Sequence, residues 1–269
     1  MSPFRVGLLG AGVMGEALLT AVLRGGTPAG HVLVAEPSPA RATEVATRHG
    51  VRADASPAEV AAASDVVLVA VKPKDVPGSL RGIADALRPG TVVVSVAAGL
   101  GTAALEADLP AGTPVVRVMP NTPAVIGKGA AGLCGGEHAT DEHLALVERL
   151  LAPTGLVVRV AEADMDAVTA ISGSGPAYVF YLVDALAEAG VLLGLSRTQA
   201  MDLARATFLG AAELLEQSGE HPALLRERVS SPGGTTVAGL RELDTHAVRA
   251  AVIAAAQAAR DRSRELGGR

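Results

Sequence analysis

The sequence predicts an α/β protein in two parts, a doubly wound sheet over residues 1–160 and an all-helical region over residues 161–269. Three observations carry the prediction. Val6-Gly7-Leu8-Leu9 runs into Gly10-Ala11-Gly12-Val13-Met14-Gly15 and then a helical pattern, the setting a GxGxxG run needs to hold a dinucleotide. Short apolar runs then alternate with helical segments as far as Val160, as in a Rossmann-type sheet. Beyond Val160 strand patterning stops and long apolar helices take over.

The elements of the first part follow in order. Gly10 makes the turn, Gly12 admits a pyrophosphate, and Gly15 lets helix and strand pack, with Val13 and Met14 completing the cofactor turn. The helix buries Ala17, Leu18, Ala21 and Val22 and ends at Gly25-Gly26. His31–Ala35 is the second strand, with Glu36 at its end. An acid there bonds the ribose 2′-hydroxyl and repels a 2′-phosphate. Ser38 and Arg41 follow at once and offer that phosphate partners. The cofactor expected is therefore NADPH or NADH, and a charge-assisted Arg41 contact tips the expectation toward NADP.

Ser56-Pro57-Ala58-Glu59 is a capping box with proline at the first helical position, and Ser56 joins the expected cofactor contacts. The strand Asp65–Ala70 ends in Val71-Lys72-Pro73-Lys74. Ligands bind at the carboxyl edge of such sheets, which places Ala70, Val71, Lys72 and Pro73 beside the cofactor; otherwise Lys72 is a solvated loop residue. Thr91–Val96 ends at Ala97-Ala98-Gly99, where Ala97 leaves room for the same ligand. Pro114–Met119 ends at the stiff loop Pro120-Asn121-Thr122-Pro123. Asn121 there faces the nicotinamide or serves a structural turn. A helix over Asp141–Leu151 and a strand over Leu156–Val160 complete this part.

In the second part, Ser172-Gly173-Ser174-Gly175-Pro176 leads into a helix over Ala177–Ala189, stopped by Gly190. A second capping box, Ser196-Arg197-Thr198-Gln199, opens a helix that Gly219 ends. Short helices over Pro222–Val229 and Val237–Leu243 flank Ser230-Ser231-Pro232-Gly233-Gly234-Thr235-Thr236, and Ala247–Leu266 is the last. Several of these helices are apolar on more than one face and must be covered, which calls for a second subunit. In the segment between the short helices, glycines allow a tight turn and the following helix start favours an anion. Ser231, Gly233, Gly234, Thr235 and Thr236 are thus the candidate substrate contacts: backbone amides for a carboxylate, the Thr236 hydroxyl for a neighbouring atom, and the Thr235 hydroxyl as a helix cap.

Composition narrows the function classes. Hydrophobic residues make up 49% but aromatics only 2%, so Ala and Val fill the interior. The net charge of −5, without a basic stripe, argues against a nucleic-acid surface. Apolar runs such as Val66–Val71 and Val92–Val96 fall short of the roughly 18 residues a membrane-spanning helix needs. Met1-Ser2-Pro3-Phe4-Arg5 leads straight toward a strand with no signal-peptide pattern, so the expected location is cytoplasmic. One cysteine, Cys134, permits no internal disulfide, and the six His have no metal-ligand spacing, so no metal is expected.

Taken together, Gly10–Gly15 with Met14, Val71-Lys72-Pro73, Met119–Pro123, Ser172–Tyr178 and above all Val229–Asp244 resemble the pyrroline-5-carboxylate reductases, over nearly the whole chain. The resemblance implies a Rossmann domain, an all-helical dimerisation domain that also carries substrate, and homodimers often assembled into a decamer of five. It implies hydride transfer from NAD(P)H to the C=N carbon of Δ1-pyrroline-5-carboxylate, giving L-proline, the last step of proline biosynthesis. It also makes Thr236 the catalytic residue, matching the family's substrate-contacting threonine. Glu36 departs from the neutral or small residues of many members. The alternatives are another NAD(P)-dependent imine or β-hydroxyacid reductase of the same plan, or a non-catalytic NAD(P)-binding regulator. The first lacks support because no lysine lies on the helix after the domain junction; the second, because no DNA-reading element is present.

Overall fold

A computed structural model describes residues 4–268. The expected lead-in at Met1-Ser2-Pro3 lies outside the described residues. Five strands stand parallel in the order β2-β1-β3-β4-β5: β1 (Val6–Leu9), β2 (Val32–Ala35), β3 (Val66–Val69), β4 (Val92–Ser95) and β5 (Val115–Met119). Their Val- and Leu-rich runs do not alternate because both faces of the sheet are covered. α1 (Val13–Arg24) and α2 (Pro39–His49) cover one face, where Leu18, Leu19, Val22 and Val45 pack on Leu8, Val34 and Val94. α3 (Pro57–Ala63), α4 (Val76–Ile83) and α5 (Thr102–Glu106) cover the other. There Val60, Leu80, Ile83 and Leu105 meet Val67, Val69, Val93 and Val115. α6 (Asp141–Leu151) adds Val147 and Leu151 to the first layer.

The sheet is mixed rather than wholly parallel. β6 (Gly129–Gly135) runs antiparallel to β5, and β7 (Gly155–Arg159) lies parallel to β6 at the edge. β7 was legible as a strand; β6 was not. Its sequence, Gly-Ala-Ala-Gly-Leu-Cys-Gly, has none of the β-branched or aromatic residues that signal strands. Packing explains the small residues. A Cβ on Gly132 would come within 2.8 Å of Val168, on α7 (Met165–Val168).

A π-turn over Thr169–Gly173 follows α7. Contacts divide the chain into two compact units at this point. The first holds residues up to Ser174 together with those from Ala259 onward; the second holds Gly175–Ala258. The division thus falls later than residue 160, and the last helical turns return to the first unit, where the Ser263 hydroxyl donates to the buried Asp166 carboxylate at 2.8 Å.

The second unit is built from α8 (Gly175–Leu192), α9 (Arg197–Ser218), α10 (Pro222–Arg228), α11 (Thr235–Thr245) and the first part of α12 (Val248–Leu266). Ser196 caps α9 in the expected box, its hydroxyl accepting the Gln199 N–H at 3.3 Å, and Gly219 ends the helix with φ +62°. Gly190 does not stop α8. It lies inside the helix, where a Cβ would meet the Ala200 Cβ at 2.8 Å, so its role is close packing against α9. The chain turns instead at Gly194, φ +99°.

Ala187, Ala200 and Ala204 are the buried core of this unit among the described residues. Larger apolar side chains on α8 face outward: Phe180 is 66% exposed, Tyr181 76% and Leu186 47%. Residues 162–192 also form a helical run apolar and long enough to cross a membrane by length and composition, which corrects the expectation drawn from the strand-sized runs.

Candidate active site

The dinucleotide turn lies at the carboxyl end of β1, beside the point where strand order switches between β1 and β3. Gly10 adopts φ +86°, a conformation that side-chain-bearing residues resist. A Cβ on Gly15 would sit 2.1 Å from the Gly10 carbonyl oxygen, so α1 could not come this close with any other residue. At Gly12, the N-cap of α1, a Cβ would meet nothing within 4 Å. Open space before a helix N-terminus fits the pyrophosphate of a dinucleotide, where N–H groups and the helix dipole favour an anion. Val13 is exposed at this turn and Met14 half-buried.

Beyond it lies a cleft of about 290 Å³ lined by Gly10, Glu36, Pro37, Pro57 and Val71 among others. Glu36 is fixed at its wall. Its carboxylate accepts the Ala11 N–H at 2.8 Å and the Ser38 N–H at 3.0 Å. The Ser38 hydroxyl caps α2 by accepting the Arg41 N–H, and the Ser56 hydroxyl caps α3 by accepting the Glu59 N–H. Arg41 does not reach outward. Its guanidinium donates to the Ala11 carbonyl at 2.8 Å, to Glu44 at 2.7 Å and to Glu16. Burial pushes the Glu16 carboxyl up, but hydrogen bonds from His49, Arg41 and Arg48 outweigh it and hold the pKa at about 2.

The other strand ends fall on the same edge. Ala70 and Val71 are half-buried after β3, with Lys72 and Pro73 exposed, and Ala97 is buried after β4. Asn121, after β5, is buried and wholly engaged. Its amide donates to the Ser172 carbonyl at 3.0 Å and its oxygen accepts the Ala130 N–H at 2.9 Å. It therefore ties the β5 loop to β6 and to the π-turn. Gly173 of the same turn packs on Met119, whose Cε would lie 2.8 Å from a Cβ there.

Sequence reasoning missed one cluster on this sheet. Arg117 is fully buried in the middle of β5, opposite Cys134 of β6. It donates to Glu162 at 2.5 Å, and the Cys134 thiol donates to the other oxygen of the same carboxylate at 3.0 Å. Burial, then the hydrogen bond and charge of Glu162, push the thiol up to about 12, so it is no nucleophile. The signal was the arginine itself. A charge inside a Val-rich strand must have a buried partner.

The second unit carries the other candidate segment. The turn over Ser231-Pro232-Gly233-Gly234 closes with the Gly234 N–H donating to the Ser231 carbonyl at 2.9 Å, and Gly233 adopts φ +70°. α11 starts at Thr235, two residues before the expected start, and its N-cap is Gly234. No side chain caps it. Thr235 therefore does not cap this helix; it stands exposed at the first helical position, with Thr236 half-buried behind it. The first-turn amides of α11 thus have no side-chain cap, and a helix start of this kind favours an anion.

Family models match both regions of the chain. Residues 162–266 match the family model described as pyrroline-5-carboxylate reductase dimerisation, and residues 5–99 match that of NADP oxidoreductase, coenzyme F420-dependent. A pyrroline-5-carboxylate reductase of Corynebacterium melassecola is 44% identical over 97% of this chain and 98% of its own length. Among solved structures, a pyrroline-5-carboxylate reductase from Coxiella burnetii superposes with a TM-score of 0.94 at 32% identity, covering 98% of this chain and 99% of that one. A pyrroline carboxylate reductase of Plasmodium falciparum, with NADP bound, gives 0.87 at 30% identity and covers 99% of each chain. Near-full-length identity at this level, with a fold that superposes end to end, leads to one conclusion: the chain belongs to the pyrroline-5-carboxylate reductase family.

Proposed function

We propose that this chain reduces Δ1-pyrroline-5-carboxylate to L-proline with NAD(P)H, the last step of proline biosynthesis. The observation that carries it is the start of α11: a Gly-Gly turn, first-turn amides no side chain caps, and a half-buried threonine, Thr236, in the same turn. That set matches a small substrate with one carboxylate and one ring nitrogen.

Residues 1–160 serve the dinucleotide, and residues 161–269 serve dimerisation and substrate. Gly10, Gly12, Val13, Met14 and Gly15 shape the pyrophosphate turn, and Glu36 meets the adenosine ribose. Ala70, Val71, Lys72, Pro73 and Ala97 border the remainder of the cofactor. When bound, the dinucleotide supplies a hydride from its nicotinamide. Ser38, Ser56 and Asn121 act by fixing the loops around it, through the bonds that cap α2 and α3 and tie the β5 loop. The amides after Ser231, Gly233 and Gly234 hold the substrate carboxylate, with Thr235 at the rim. The Thr236 hydroxyl donates to the ring nitrogen, which gains electron density as its carbon accepts hydride. The neutral imine carbon, polarised by that hydrogen bond, accepts the hydride while the nitrogen takes up a proton from solvent, so orientation of the two reactants is the main demand, worth about 7–11 kcal/mol at best.

The helical domain makes a homo-oligomer, and we place the exposed α8 face in a homodimer interface, with five dimers forming a decamer in the cytoplasm. The reading favours a protein partner over a lipid one because the apolar run 162–192 falls within the matched dimerisation region. The direct test is loss of NADPH or NADH absorbance on adding Δ1-pyrroline-5-carboxylate, with proline identified as product. No proline with either dinucleotide overturns the assignment.

A further inference from the structure

Three features of the β2–α2 region combine at the adenosine end of the cofactor cleft. Among the described residues lining that cleft, Glu36 is the one charged group. It is not a swinging side chain, because each carboxylate oxygen accepts a backbone N–H, from Ala11 and Ser38. The nearby arginines are all paired with acids. Arg48 bonds Glu16 and Glu44 at 2.5 Å each, and Arg52 bonds Asp54 at 2.9 Å and Glu59 at 3.1 Å. Arg41, which the sequence offers as a phosphate ligand, already donates from each of its three guanidinium nitrogens, to the Ala11 carbonyl, Glu44 and Glu16.

We propose that Glu36 makes this chain select NADH over NADPH, while Glu16 withholds Arg41 from the 2′-phosphate. The inference rests on the reading of the chain as a dinucleotide-dependent reductase and reverses the preference the sequence suggested. An ionised carboxylate at the end of the second strand accepts a hydrogen bond from the ribose 2′-hydroxyl. The same carboxylate faces a 2′-phosphate as a like charge, which disfavours NADPH. A free arginine beside it would offset that cost through charge-assisted bonds. Here Arg41 instead bridges the Ala11 carbonyl on the glycine turn to the acids of α1 and α2. Turning toward a phosphate competes with its pairing to Glu16, a carboxylate that stays ionised at neutral pH. Arg41 is thus a strut of the glycine turn, and Glu16 is the residue that sets its availability.

The test is calorimetric titration of the whole protein with NADH and, separately, NADPH, for the wild type, Glu36→Gln and Glu16→Gln. Wild-type protein should bind NADH the more tightly, by about tenfold. Glu36→Gln keeps an acceptor for the Ala11 N–H but removes the charge, so NADPH affinity should rise and NADH affinity fall, closing the gap. Glu16→Gln should raise NADPH affinity and leave NADH little changed, because it frees Arg41 without touching the ribose. Thermal melts establish that each variant is folded. If Glu36→Gln does not fold, the wild-type ratio and Glu16→Gln still decide.

Tighter wild-type binding of NADPH overturns the inference, as does a ratio unmoved by both variants. Turnover separates this from the wider reading. Preferred NADH binding without reduction of pyrroline-5-carboxylate sinks the assigned reaction and leaves the specificity standing. Turnover with preferred NADPH does the reverse.

Discussion

Thr236 carries the sharpest consequence for a single residue. If its hydroxyl donates to the ring nitrogen, Thr236→Val keeps the shape and the backbone amides but removes the donor. The expected loss is about 10²–10³ in kcat at fixed cofactor, with the KM for substrate little changed. Near-wild-type kcat in Thr236→Val would move the donor elsewhere. Thr235→Ala should do far less, because Gly234 and not Thr235 is the cap of α11. Gly12→Val tests the other segment. A side chain there meets no protein atom, so the fold should survive with an unchanged melting temperature while NAD(P)H affinity collapses. Retained cofactor binding by fluorescence titration would remove Gly12 from the pyrophosphate site. These residues were legible because backbone demands fix them: a turn, a close approach, a helix start. Arg41 and Asn121 were legible only as polar residues at the right edge. Which partner each takes, Glu16 or Ser172, depends on chain brought close from 25 and 51 residues away.

The α1–α2 pair adds a consequence for acid stability at the scale of elements. Glu16 on α1 joins Arg41, Arg48 and His49 on α2, and its pKa falls from 4.5 to about 2. Because the folded value is the lower one, the unfolded chain binds more protons between the two. The pairing therefore stabilises the fold fully above the unfolded value and is lost as pH falls through about 2. Urea midpoints of wild type and Glu16→Gln should differ at neutral pH and converge as the buffer is acidified toward that value. A gap that stays constant with pH would mean that α1 and α2 are held by packing alone. Elements were legible in proportion to their chemistry. α9 announced itself by a capping box and a terminal glycine. β6 stayed hidden, because close packing at Gly129, Gly132 and Gly135, against Ala124, Val168 and Ala139, leaves it without the side chains that mark a strand.

For the whole molecule, the outward-facing side chains of α8 set the expectation. Phe180, Tyr181 and Leu186 form an exposed apolar face in the single chain, the face we place in the proposed homodimer interface. Leu186→Asp would bury an unpaired charge on assembly. It should abolish the oligomer in light scattering and leave aggregated or misfolded protein, and a well-folded wild-type monomer at micromolar concentration would contradict the interface. The apolar character of these helices was legible from composition. Their division into units was not, since nothing in residues 259–268 signals that they join the first compact unit. That arrangement has a cost during synthesis. A ribosome adds about 5–20 residues per second, and N-terminal domains ordinarily fold as they emerge. Here the nucleotide-binding half lacks the Ser263–Asp166 bond until residues beyond 258 have been made. The nascent chain must therefore carry an incomplete first unit while the apolar helices of the second emerge, so the bond that closes the first unit forms only after those helices have been made.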